Sequence, residues 1–389
     1  MKKFILVLWA MCAFIFIQPA QAVVELGGGD DGGGGGCNGT TLYVPECYPT
    51  IQAAVDVAQN GYTVLVGPGV YQGVGNRDID TRGKLLNIHS TAGAQLTIID
   101  IQGSASDPHR GFFILGGNVR IRGFTIQNGY VADDGGAIKV LAPVPFNPTY
   151  LSVRECIFMN NHANYGGAVS VDNNAQVVFR RSIIKNNIAL SNGGGIWTGI
   201  GTSLDITNTL LVKNFAQDAG GALQLDGHSA SMIRCTLSGN TAASGGGFGI
   251  GPRLIIMAVS DSIIWGNSEP EFDVHGSLNF FHSIVHNYPC RTNCIDSDPK
   301  FVNPSAGDYH LRDFSPAIDT SSSSTVEDGY DLVTDLDRLP RFDDINVLNT
   351  GPNGGFGDLG VYERQTDSQA APVKYVPAPT PTNKRAVVN

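Results

Sequence analysis

The chain has 389 residues, 49 of them glycine, with 15% charged residues and a formal net charge of −10. The acidic balance excludes nucleic acid as the main partner, because a phosphate backbone is held by a basic surface. Abundant glycine without a three-residue period excludes a collagen-like rod, and the length suits either two ordinary domains or one elongated all-β unit.

The chain opens with Lys2 and Lys3, an apolar run over residues 4–17, and Ala20-Gln21-Ala22. Basic start, short apolar run and small-x-small site together predict a signal peptide over residues 1–22, since the run is too short to span a bilayer comfortably. The mature protein is then expected outside the cytoplasm: secreted, periplasmic or at the cell surface. The sequence has no second long apolar stretch, so no transmembrane helix is expected after cleavage. GGGDDGGGGG falls in a flexible leader expected over residues 23–40. Six cysteines remain after cleavage. Cys37 with Cys47, and Cys290 with Cys294, are close enough in sequence to close local disulfides, which that compartment permits.

Residues 48–73 read YPTIQAAVDVAQNGYTVLVGPGVYQG. Ile51, Ala54, Val55 and Ala58 share one helical face, and Gly61 can end the helix. A short helix there would cover the open edge of the first strand-bearing coil.

Next comes a repeat. Gly-Gly pairs start the segments GGAIKV, GGAVSV, GGIWTG, GGALQL and GGFGIG at positions 135, 166, 194, 220 and 246. Apolar pairs lead to a second marker at Asn128, Asn161, Asn187, Asn214, Asn240, Asn267 and Asn287. From Asn161 to Asn267 the marker steps by 26 or 27 residues, and the longer first step holds the proline-bearing insertion at 142–148. Each unit carries three short runs rich in β-branched and apolar residues, none long enough for a helical stripe. The expected fold is all-β: a single-stranded parallel β-helix over residues 41–310, each coil stacked about 4.8 Å beyond the last. A propeller blade would be longer and would carry hairpin turn signals that are few here. In this register Val153, Phe179, Ile206, Met232 and Val259, eight residues before their markers, form one inward stack. Cys156 and Cys235 share a column with Ser182 and Thr209 between them. Their separation of three coils, about 14 Å, exceeds the reach of a disulfide.

Six or seven residues before each marker lies a column containing Arg122, Arg154, Arg180, Arg181 and Arg234. A guanidinium stripe suits uronate or sulfate groups on an extended chain, and a set of solvated bends is the plainer alternative. His282 and His286 are four apart in a strand-and-turn context, so they share no helical face and predict no zinc site. No cofactor is expected. Calcium would have to use the aspartates between Asp328 and Asp344, where Asp335-x-Asp337 does not continue as a calcium loop.

GGAI at 135–138 and FMNN at 158–161 resemble the repeats of polymorphic outer membrane proteins. More broadly, the chain resembles right-handed parallel β-helix proteins of the pectin-lyase-like superfamily, and residues 48–73 resemble the opening of such solenoids. DPKFVNPSAGDYHLRDFSPAID at 298–319, DLDRLPRF at 335–342 and DLGVYE at 358–363 resemble the end of secreted β-helix proteins called choice-of-anchor Q, and a closing segment is expected over residues 311–364. The proline-rich remainder, 365–389, reads as disordered. The resemblance implies a right-handed solenoid and allows polysaccharide lyases or hydrolases. The polygalacturonase set of aspartates with Gly-His-Gly and Arg-x-Lys is absent, and Arg338-Leu-Pro-Arg341 has the wrong spacing for the pectate lyase motif. The expected function is therefore a monomeric secreted or cell-envelope protein, non-catalytic, that binds polysaccharide or cell-surface glycan or serves a structural role. The rival is a lyase or hydrolase of acidic polysaccharide.

Overall fold

The computed structural model of the chain describes residues 37, 39–143, 149–253, 256–322, 334–341, 347, 349–351 and 357–364. The expected signal peptide (1–22), most of the leader (23–40), most of the insertion at 142–148 and the tail (365–389) lie outside the described residues.

The architecture is a right-handed parallel β-helix with one short helix at its start. Among the described residues, three long sheets run its length, with ten, nine and eight strands. The first runs from Thr41–Val44 to Leu278–Phe281, the second from Gly69–Tyr71 to Ile284–Val285, and the third from Ile79–Asp80 to Phe272–Val274. One coil passes through Val169–Asp172 of the third sheet, Gln176–Arg180 of the first and Ile183–Lys185 of the second. Each strand pairs in parallel with the strand one coil away, as Phe179 does with Ile206. The helix Ile51–Val57 is capped by Thr50, whose hydroxyl accepts from the Ala53 amide at 3.2 Å, and it buries Ile51, Ala54 and Val55. It stops one turn before Gly61, with Ala58 as its C-cap.

Strand alternation sends one set of side chains into a narrow core. The stack Val153, Phe179, Ile206, Met232 and Val259 is in register across adjacent strands and no more than 1% exposed. A hydroxyl and thiol column runs beside it. The Cys156 amide donates to Ser182 Oγ at 3.3 Å, and the Cys235 amide donates to Ser262 Oγ at 3.0 Å. Both cysteines are buried free thiols, and burial pushes each up to about 12. Disulfides join Cys37 to Cys47 and Cys290 to Cys294, with Cα atoms 5.5 and 5.8 Å apart.

The asparagine marker turns out to combine two residue roles. Asn161, Asn187, Asn214, Asn240 and Asn267 form a buried ladder. In each step, the backbone amide and the side-chain amide of one asparagine both donate to Oδ1 of the next, as Asn187 does to Asn214 at 3.1 and 2.9 Å. The remaining side-chain hydrogen returns to a carbonyl of the preceding coil. Asn128 and Asn287 are not rungs. The register places Asn128 beside Asn160, and Asn287 beside Gly266. Both sit one position earlier, at a left-handed bend with φ of 58° and 48°, which asparagine tolerates better than most residues. Past Asn267 the ladder ends on Glu271, whose Oε1 accepts both Asn267 donors at 3.3 and 2.6 Å.

The last solenoid strand is Ile284–Val285. The antiparallel pair Phe301–Asn303 and Asp308–Leu311 belongs to the chain beyond the solenoid and lies against the outside of the second sheet. That outer face is apolar. Leu210, Val212, Ile263 and Ile284 point away from the core and are buried beneath Phe301, Tyr309, Ile318, Leu359 and Val361. A sheet covered on both faces needs runs such as LLV and IIW rather than an alternating pattern.

Candidate functional site

The arginine column resolves into two adjacent lines. Arg122, Arg154 and Arg180 end strands of the first sheet and are level with one another, followed by Thr207, Ile233 and Ser260. The next residue in each coil is a left-handed bend: Glu155, Arg181, Asn208, Arg234 and Asp261 all have φ between 48° and 54°. Glu155 gathers Arg122, Arg154 and Arg338 at 3.0, 3.4 and 2.9 Å. Burial tends to raise its carboxyl, but these guanidiniums outweigh that and hold it below the usual range. Further along, Arg181 bonds Thr334, and Asn208 bonds both Thr334 O and Arg341. Asp261 accepts from the amide and hydroxyl of Ser322 at 2.6 and 2.8 Å. Arg234 is 4% exposed, and burial followed by the nearby Arg341 charge pulls it down to about 10, so it stays charged at neutral pH. Arg181 and Arg234 therefore lie under residues 315–322, 334–341 and 357–364, while Arg122, Arg154 and Arg180 remain half-exposed.

The segments DLDRLPRF and DLGVYE supply the counter-charges. Arg341 bonds Glu363 at 3.0 Å with side-chain exposures of 4% and 1%. Asp335 accepts from the Leu339 and Glu363 amides, and Asp358 from the Asp319 and Arg364 amides. Burial raises Asp335, and burial together with the Glu363 charge raises Asp358. Of the aspartates considered for calcium, Asp335 is thus occupied by backbone donors. Asp337 is bonded to His310, and residues 328–333 and 342–344 lie outside the described residues.

A different arrangement stands on the third sheet. Along its outer face Ser170, Trp197, Gln224 and Gly249 are level from coil to coil. Two residues on, backbone hydrogen bonds keep Asp172, Gly199, Asp226 and Gly251 in step. Trp197 is half-buried, tilted against Tyr165 with ring centroids 5.3 Å apart. Its indole N–H donates to Asp226 Oδ2 at 3.2 Å, and Gln224 Nε2 donates to Asp226 Oδ1 at 3.0 Å. Asp172 Oδ1 accepts from the Asn173 amide at 2.8 Å. Ser170 Oγ and Gln224 Oε1, buried on either side of the tryptophan, have no hydrogen-bond partner among the described residues. Gly199 is a close-approach position: a Cβ there would stand 2.1 Å from Asp172 Oδ1 and 2.7 Å from the Trp197 ring, so the absence of a side chain lets the Asp172 carboxylate and the indole edge come together over the backbone. The result is a groove of about 310 Å³ lined by Asp172, Trp197, Gly199, Ile200, Asp226 and the Pro252-Arg253 rim.

No family model matches the chain, and no curated protein matches it. Among solved structures it is similar to pectate lyase Pel9A, with a TM-score of 0.40 and 12% identity, covering 80% of this chain and 90% of that one.

Sequence reasoning passed over Trp197, although GGIWTG was already a recognised repeat. The available signal was alternation: Ile196 and Thr198 face inward, so the residue between them faces out. Sequence reasoning also passed over His310. Its Nδ1 meets Asp308 at 2.6 Å and its Nε2 meets Asp337 at 2.8 Å, while the ring stacks on Tyr362. Burial works to lower this imidazole, but the bonds to Asp337 and Asp308 and their charges raise it to about 9. A histidine held protonated at neutral pH is a poor general base and acts as a clamp between two parts of the closing segment.

Proposed function

We propose that the protein is a secreted or cell-envelope β-helix that binds carbohydrate without catalysis, through the Trp197 groove. The observation that carries this reading is a half-exposed indole fixed by Asp226 and packed close over Gly199, with carboxylates at both ends. An aromatic face packs against the C–H face of a sugar ring, and carboxylate oxygens accept from its hydroxyls. The groove lies at the small end of the usual range for ligand sites, about 300–1,000 Å³, which suits a short stretch of a chain. The two disulfides support an oxidising compartment.

The test is affinity electrophoresis of the full chain through gels containing a panel of plant and microbial polysaccharides. Trp197→Ala should lose retardation on whichever polymer retards the wild type. Phe314→Ala, an exposed apolar residue elsewhere, should keep it. Equal retardation of the Trp197 variant and the wild type would remove the groove from the function.

A further inference from the structure

We infer that the groove selects uncharged polysaccharide and rejects uronate or sulfated chains; this rests on the carbohydrate-binding reading above. The inference comes from where the charges stand. Asp172 and Asp226 are level with Gly199 from opposite sides, one coil before it and one coil after. At about 4.8 Å per coil their backbones lie about 10 Å apart along the axis. A chain lying along the solenoid across the Trp197 ring therefore passes from one carboxylate to the other.

The two carboxylates do different work. Asp226 has both oxygens engaged, one by the Trp197 indole and one by Gln224, so it fixes the ring and leaves its negative charge beside the ring edge. Asp172 uses Oδ1 on its own turn and presents Oδ2 with no bonded partner among the described residues. That oxygen is an acceptor waiting for a donor, which a sugar hydroxyl supplies. A sugar carboxylate or sulfate supplies only further acceptors and brings like charge against like charge. Among the described residues lining the groove, Arg253 on the exposed rim is the one cation beside two acids. The guanidiniums that could have received an anionic chain end strands of the first sheet or lie under the closing segment.

The test uses the full chain and compares neutral polymers (xyloglucan, galactomannan, mixed-linkage β-glucan) with polygalacturonate, alginate and a sulfated galactan at low salt. The variants are Trp197→Ala and the double variant Asp172→Asn with Asp226→Asn. The wild type should bind at least one neutral polymer in a Trp197-dependent way and bind the anionic polymers about tenfold more weakly or worse, the scale set by like-charge contact. The double variant should narrow that gap. Trp197-dependent binding of an anionic polymer as tight as any neutral one would overturn the selectivity and leave the groove standing. Binding that ignores Trp197, or no binding to any polymer, would overturn the groove itself.

Discussion

The outer faces of the second and third sheets share one backbone period and differ in nearly everything else. Outward positions of the second sheet carry Leu210, Val212, Ile263 and Ile284, and the closing segment buries them. Outward positions of the third sheet carry Ser170, Trp197, Gln224 and two aspartates; among the described residues no closing strand covers them, and Trp197, Asp172 and Asp226 stay partly accessible. A solenoid coil fixes where a side chain points but not what meets it. The covered face is apolar at its centre and bordered by buried charges, with Arg234 and Arg341 answered by Asp261 and Glu363. Around the groove the open face keeps the Trp197 ring among polar groups. The comparison separates residues that hold the protein shut from residues free to meet a ligand.

The largest effect should come from breaking the covered face. Arg341→Ala leaves Glu363 charged and buried without its guanidinium, and losing one partner of a buried pair costs about 3–5 kcal/mol. Equilibrium urea unfolding should show that loss. A cost below about 1 kcal/mol would mean that the closing segment is held by its apolar contacts alone.

Next is the ladder shared by both faces. Asn214→Ala removes the oxygen that accepts both the amide and the side-chain amide of Asn187. Two buried donors are left unmet, a cost of about 2–6 kcal/mol in all. Asn128→Ala, at a bend outside the ladder, should cost less than half as much. Equal losses would show that the two asparagine positions are not distinct.

That distinction marks the limit of what the sequence made legible. The coil length, the inward stack and the cysteine column followed from spacing, because a parallel coil turns a fixed residue step into a fixed column. The two asparagine roles did not separate, since left-handed tolerance and amide laddering favour the same residue one position apart. Glu271 was invisible as a ladder terminus, because its role depends on standing where the next coil's asparagine would have been. The arginine column could be traced along the chain, but Thr334, which bonds Arg181 and Asn208, and Arg341, which bonds Asn208, lie more than a hundred residues further on. Only folding brings such partners over the column.

Glu271 gives a pH-dependent test of the same ladder. Burial raises its carboxyl to about 7, against the Asn267 hydrogen bonds that favour the charged form. By linkage, a carboxyl raised in the folded state contributes stability that is complete below about 4.5 and is lost as pH climbs through about 7. Glu271→Gln keeps an oxygen for Asn267 and removes the charge. It should match the wild type near pH 4.5 and exceed it at pH 8 by an amount on the order of 1 kcal/mol. A variant less stable than the wild type at both pH values would show that the ladder requires a carboxylate at its end.

Trp197→Ala sharpens the comparison from the other side. On an open face it should shift stability by only about 1 kcal/mol while removing the proposed glycan binding. A loss as large as that of Arg341→Ala would return Trp197 to a packing role and place both faces in one class.

The smallest effect belongs to His310, whose side chain is 41% exposed and so is screened by water. Its folded value, about 9, lies above the ordinary 6.5 because the bonds and charges of Asp337 and Asp308 outweigh the lowering effect of burial. A cation raised in this way contributes stability that is complete below about 6.5 and disappears as pH rises through about 9. His310→Gln should therefore be less stable than the wild type at pH 6 and converge with it near pH 10. The difference between the two unfolding curves isolates this residue from other groups that titrate in the same range. A gap of the same size at both pH values would show that His310 holds the closing segment through its stacking on Tyr362 rather than through its charge.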